Sequence, residues 1–372
     1  MKLKKIFSAA VCLALASALS LGGCGSKDSS TDESSVPATA APSLTMPTEA
    51  PSEAEPSEAD PSSEEETSSE EETDPNDEQQ GITPLMWELT TPSGSRVVFM
   101  GSMHALKEEV YPLPDSVMDA YNSADVLAVE CDIITAADDF NLTMQQMKSM
   151  YYDDGTSFKD HLDPEVYDGF IGYAEACGYN AESYWPCRLW VLTSLAEEWA
   201  IEQTDLSADL GIDRHLLQLA HDEGKEIFEV ESAEFQTDLF INMPEDICQA
   251  LLSDYTAENK DEIVQSLEDT YTAWTTGDLQ FFEDSNDLDK RTELLAEEGI
   301  TVTEEERELL EEYNRLLLYD RNIGMKEKAE ELIESGKDVF FVVGEAHFVG
   351  EKGLLSLLEK DGYELTQINP AM

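Results

Sequence analysis

Two short stretches carry the residue types and spacing that could do chemistry. One is Gly101-Ser102-Met103-His104, the other Gly344-Glu345-Ala346-His347. Each follows an apolar run that reads as a buried strand, at residues 96–101 and 338–344. A glycine at a strand end lets the backbone turn sharply or approach a ligand closely. The imidazole three residues on can then project across the end of a sheet, where open α/β sheets bind ligands. Two further apolar runs, at 125–130 and 226–231, end in Glu130 and Glu231. If all four strands are parallel, two imidazoles and two carboxylates gather at one sheet edge. Such a set suits Zn, Mn or Co with an open water position. The metal would acidify the water and polarise a carbonyl, and a spare glutamate would accept the proton. Each signal alone has a plainer reading: a structural histidine, or a solvated acid closing a strand.

Arg321, beside Asn322 before the last of these strands, has two readings. It can bind a substrate carboxylate or oxyanion through its planar fork, or pair with one of the many acids. Asp213 reads as a helix-start charge ahead of a site residue. Of the five histidines, His161 lies in a polar stretch, and His215 and His221 read as surface positions on a helix. No Gly-x-Ser-x-Gly elbow, Walker loop or dinucleotide glycine pattern occurs, and nothing marks a base beside Cys131.

The four runs are mostly continuous rather than alternating, as in strands covered on both faces. They predict an α/β fold with a mixed, largely parallel central sheet flanked by helices. Residues 86–90 would pair as a hairpin with the first run across Pro92-Ser93-Gly94-Ser95, and residues 363–368 would form a last strand. Helical patterns cover 115–122, 211–223, 322–335 and 353–360. The stretches around 139–200 and 243–320 read as a helical insertion or lid.

Residues 1–23 have the basic start, short apolar core and small residues of an export signal. The run is short for a membrane span of about 20 residues. Gly22-Gly23 before Cys24 reads as a lipobox, making Cys24 the lipid-modified first residue of a chain held at the extracytoplasmic face of a bacterial membrane by its anchor alone. Residues 24–81 are rich in Ser, Thr, Pro, Glu and Asp and read as a disordered, self-repelling tether. Residues 82–372 read as the folded domain. A net charge of −59 argues against nucleic acid, whose phosphates it would repel. Cys131, Cys177, Cys187 and Cys248 could pair in an oxidising compartment, and the sequence leaves that open.

Several stretches resemble the TraB/GumN family, in the same superfamily as the Tiki metalloproteases. They are Phe99-Met100-Gly101-Ser102-Met103-His104 with Tyr111-Pro112-Leu113-Pro114; Ala124-Asp125-Val126-Leu127-Ala128-Val129-Glu130; Gly211-Ile212-Asp213; Glu229-Val230-Glu231-Ser232-Ala233-Glu234; Arg321-Asn322 with Met325; and Val342 onward through His347 to Gly353-Leu354-Leu355. The resemblance covers about residues 84–369. It implies an α/β fold and a site of His104, Glu130 and His347 supported by Arg321 and Glu231. It also implies a metal-dependent hydrolase acting on peptide or protein. The competing expectation is a module that sequesters a peptide or other ligand in the same pocket without turnover. A third is a structural surface lipoprotein.

Overall fold

The computed structural model describes residues 81–297 and 299–368. The expected signal, the lipid-modified Cys24 and nearly all of the tether lie outside the described residues. Six strands form one sheet: β1 (Met86–Thr90), β2 (Arg96–Ser102), β3 (Val126–Val129), β4 (Glu226–Glu229), β5 (Val339–Gly344) and β6 (Thr366–Ile368), in the order β4-β3-β5-β2-β1-β6. The four strands that lead to the candidate residues are adjacent and parallel, β4 on β3, β3 on β5 and β5 on β2. β1 and β6 close the other side as antiparallel strands. The expected hairpin forms, with Thr91 N–H donating to Ser95 O at 2.8 Å.

Every residue of β3 and β5 is buried, as the unbroken apolar runs require of strands covered on both faces. β4, at the edge, is only partly covered. Phe99, Phe341 and Phe348 interlock above the sheet centre with ring centroids 5.4 and 6.3 Å apart. The helix Ile212–Glu223 buries Ile212, Leu216, Leu217 and Ala220 on one face and stops at Gly224, whose φ of 70° suits glycine.

Long helical excursions separate β3 from β4 and β4 from β5. They pack on one another as a helical layer around Phe170, Tyr173, Trp199 and Trp274, all buried. This is the expected α/β architecture with its helical insertion. One feature lay outside the sequence patterns. The helix Glu304–Asn314 runs through a π-helical stretch, Arg315–Tyr319, into the helix Asp320–Ser335. Such stretches recur at functional positions, and this one sets Arg321 and Asn322 at the start of the next helix. The four cysteines of the domain are buried free thiols. Among the described residues no helix is long and apolar enough to cross a membrane.

Candidate functional site

Along the carboxyl edge of the sheet the order is Glu231, Glu130, His347, His104, which lie just beyond the ends of β4, β3, β5 and β2 respectively. The hydrogen-bond ladder runs past the strand ends, Val230 N–H to Val129 O at 2.9 Å and Glu231 N–H to Glu130 O at 2.8 Å. It holds the two glutamates side by side.

Arg321 lies between them. Its Nη2 donates to Glu130 Oε2 at 2.6 Å and to Glu231 Oε2 at 2.7 Å, and its Nε donates to Glu231 Oε1 at 2.9 Å. Its Nη1 donates to Leu317 O, in the π-helical stretch, at 3.1 Å. Gln236 Nε2 donates to Glu130 Oε2 at 2.9 Å and Glu231 Oε2 at 3.0 Å. Burial penalises the charge on Glu130, but Arg321, His347, His104 and the Gly344 N–H hold its carboxyl far below the usual range. Arg321 is likewise held cationic by the two glutamates against the cost of its burial. Of the two readings of Arg321, the structure has the ion pair. Its fork is engaged by protein carboxylates rather than open to a substrate. Glu231, one of the two glutamates expected to ligate an ion or accept a proton, has both oxygens hydrogen-bonded to that guanidinium.

The two imidazoles are oriented in the same way by different partners. His104 Nδ1 lies 2.8 Å from Asp213 Oδ2, and His347 Nδ1 lies 2.6 Å from Asn322 Oδ1. In each ring the Nδ1 hydrogen bond leaves Nε2 for the site, the arrangement by which proteins fix metal-ligating or proton-transferring imidazoles. Their electrostatics diverge. Burial opposes charge on His104, but Asp213 and then Glu130 outweigh it and raise the ring to about 9. Burial, reinforced by Arg321, lowers His347 to about 3.

Gly344 is the point on which the groups converge. Its N–H donates to Glu130 Oε1 at 2.8 Å. A Cβ placed there would stand 3.2 Å from Glu130 Oε1, 3.5 Å from His347 Cδ2 and 3.7 Å from His104 Nε2. His347 Nε2 is 3.8 Å from Glu130 Oε1. Among the described residues no three His, Cys, Asp or Glu side chains are already grouped closely enough to hold a metal ion. The donor types nonetheless fit a borderline divalent ion: two anchored imidazoles presenting Nε2, and a carboxylate oxygen that takes one backbone hydrogen bond.

Three of these residues were not singled out from the sequence in these roles. Asp213 was read as a helix-start charge. It does lie in the first turn, but its carboxylate holds His104, and the backbone of Gly211 sits so close to His104 that a Cβ would come within 2.3 Å of His104 O. Asn322 entered only as part of the Arg321-Asn322 pair, with no role of its own, and Gln236, five residues after Glu231, carried no signal. The remaining histidines are elsewhere. His221 Nε2 pairs with Asp132 at 2.9 Å, His161 stacks on Tyr152 at 3.8 Å, and His215 packs on Tyr111. Burial pushes the Cys131 thiol far up, which opposes formation of the thiolate a nucleophile needs.

Residues 85–367 match the TraB/PrgY/gumN family. A protein of Escherichia coli K12 described as uncharacterized protein YbaP is 24% identical over 190 residues, which is 51% of this chain and 62% of that protein. Its counterpart in Shigella flexneri matches to the same extent. The chain thus spans less than two thirds of the length of these relatives. No solved structure matches it significantly.

Proposed function

This chain belongs to the TraB/PrgY/gumN family, and we propose that it is a metal-dependent hydrolase of peptide bonds, anchored through Cys24 at the outer face of a bacterial membrane. The supporting observation is the convergence of His104, His347 and Glu130 on Gly344. In this reading His104 Nε2, His347 Nε2 and Glu130 Oε1 hold a Zn, Mn or Co ion. When bound, the ion supplies Lewis-acid polarisation of the scissile carbonyl and an acidified water.

The chain's own residues do the rest. Asp213 and Asn322 fix the two ring orientations. His347 is uncharged at neutral pH and presents a lone pair without shedding a proton. His104 must lose one to do the same. Arg321 is a positioning residue, balancing Glu130 and Glu231 so that two buried carboxylates can stay ionised side by side. Glu231 holds the guanidinium in place, with both of its oxygens engaged by Arg321.

The test is turnover of a mixed peptide library by the full-length chain before and after chelation, and by His347→Ala. Metal-dependent products lost in the variant, with far-ultraviolet circular dichroism unchanged, would support the reading. Products that survive the substitution would remove it. Peptide retained intact under all conditions would instead favour a sequestering module.

A further inference from the structure

A cleft of about 660 Å³ opens beside the site, between the chain that follows His104 and the outer side of the helix Ile212–Glu223. That volume falls in the roughly 300–1,000 Å³ range of ligand pockets. Leu113, Met118 and Leu219 give it an apolar wall, and the Tyr111 and His215 rings, 4.6 Å apart, add a flat aromatic surface. Burial lowers the proton affinity of His215, which favours its uncharged ring. Glu108, Asp209 and Arg214 also line the cleft. The Arg214 guanidinium stands 4.0 Å from Asp209, which leaves the lining with one acid in excess.

The cleft lies close to the chain at His104: Leu210 lines it, and the next residue, Gly211, packs against the His104 backbone. The Tyr111 phenol donates to Leu210 O at 2.6 Å. Asp213, which holds His104 at 2.8 Å, is near enough to act electrostatically on that phenol and directly precedes Arg214.

We propose that the cleft is a subsite that receives large apolar side chains of the substrate peptide and favours a basic residue beside them. The identity of the occupant rests on the hydrolase reading, but the cleft is tested by binding alone.

The full-length chain would be titrated by fluorescence anisotropy against three labelled hexapeptides. The first is Ala-Ala-Leu-Phe-Lys-Ala, the second replaces Leu-Phe by Ser-Ser, and the third replaces Lys by Glu. Burying the large apolar pair predicts affinity at least about 10-fold tighter for the first than for the second. The third should lie between them, and its deficit should shrink at high salt. Gln218→Trp adds a ring at the cleft from an exposed helical position. It should weaken the first peptide about 10-fold and leave the thermal unfolding midpoint in place, and Met118→Ser should act in the same direction. Equal affinity for the first two peptides would overturn the proposal, as would a Gln218→Trp variant that binds like wild type. A concentration-dependent dimer in sedimentation that Gln218→Trp dissociates would assign the cleft to a second copy instead. Turnover that survives His347→Ala would sink the hydrolase reading without altering these binding curves, so the two failures are distinguishable.

Discussion

Asn322 Oδ1 stands 2.6 Å from His347 Nδ1, and both residues are buried. Asn322 is itself fixed, its Nδ2 donating to Lys352 O at 2.9 Å. The amide thus ties the ring that follows β5 to the helix Asp320–Ser335 and sets Nδ1 as the protonated nitrogen. Truncation to alanine frees the ring and leaves its N–H without a partner. Outer partners of this kind typically govern 10–100-fold in metal affinity or activity. We expect Asn322→Ala to lose that much in a calorimetric titration with Zn, Mn or Co. An unchanged affinity would take Asn322 out of the site.

The two imidazoles should respond oppositely to pH. His104 is raised to about 9, so its pairing with Asp213 gives stability that is complete below the ordinary histidine value and is lost as pH rises through about 9. His347 is lowered to about 3, so the stability tied to its neutral form is present above the ordinary value and is lost as pH falls toward 3. Because His104 must shed a proton to bind an ion, metal affinity should climb as pH rises toward 9. Asp213→Asn should move that rise to lower pH. Identical pH profiles for wild type and variant would show that Asp213 does not control the ring.

Arg321 makes a stronger claim on folding than on turnover. Removing it leaves Glu130 and Glu231 adjacent, buried and uncompensated, and breaking a buried pair in this way costs about 3–5 kcal/mol. Urea denaturation of Arg321→Met should show a loss of that order. Adding Glu231→Gln should recover part of it, because one of the two orphaned charges is gone. If Arg321→Met were as stable as wild type and merely inactive, the arginine would be a substrate-binding group after all.

Much of the frame could be read from residue patterns. The apolar runs of β3 and β5 are unbroken because both faces are covered, and the equal Gly-x-x-His spacing after β2 and β5 records two turns at one sheet edge. What the sequence left open depends on contacts between distant segments. Gln236 and Asn322 are ordinary polar residues in helices until the fold brings them to Glu130 and His347. Asp213 has the same local signature whether its carboxylate faces solvent or His104. The π-helical stretch Arg315–Tyr319 has no periodicity of its own to betray it. The fork of Arg321 could not be assigned until β3 and β4 were known to be neighbours.

Glu197 and Glu345 are buried, and neither has a hydrogen-bond partner for either carboxyl oxygen among the described residues. Burial pushes each up to about 8, with His104 pulling Glu197 back in part. The folded state therefore holds these protons more tightly than the unfolded chain. Stability should be lost as pH rises from the usual glutamate range through about 8. Glutamine mimics the neutral acid, so Glu197→Gln and Glu345→Gln should flatten that decline, with a gain on the order of 1–3 kcal/mol at pH 9. Denaturation curves at pH 6 and pH 9 would check it. Variants whose stability falls in parallel with wild type would mean that the acids are already ionised in the fold.

The two motif glycines are required for different reasons, and alanine should separate them. At Gly101 a Cβ would stand 1.6 Å from Glu345 Oε2 and 2.9 Å from Glu345 Cα. The second contact is with backbone, so rotating the glutamate side chain does not relieve it. Gly101→Ala should destabilise the fold by about 3 kcal/mol, the upper part of the range for overpacked cores. At Gly344 the backbone has φ −50° and ψ 137°, a conformation alanine adopts freely. The nearest atom is Glu130 Oε1 at 3.2 Å, which has to yield by only a few tenths of an ångström. Gly344→Ala should therefore fold with stability within about 1 kcal/mol of wild type. Its methyl would occupy the space shared by Glu130, His347 and His104, so metal binding and turnover should fall at least about 10-fold. Urea denaturation and metal titration on both variants read the two effects separately. A Gly344→Ala chain that binds metal as wild type does would show that the space between the three side chains is not where the chemistry occurs.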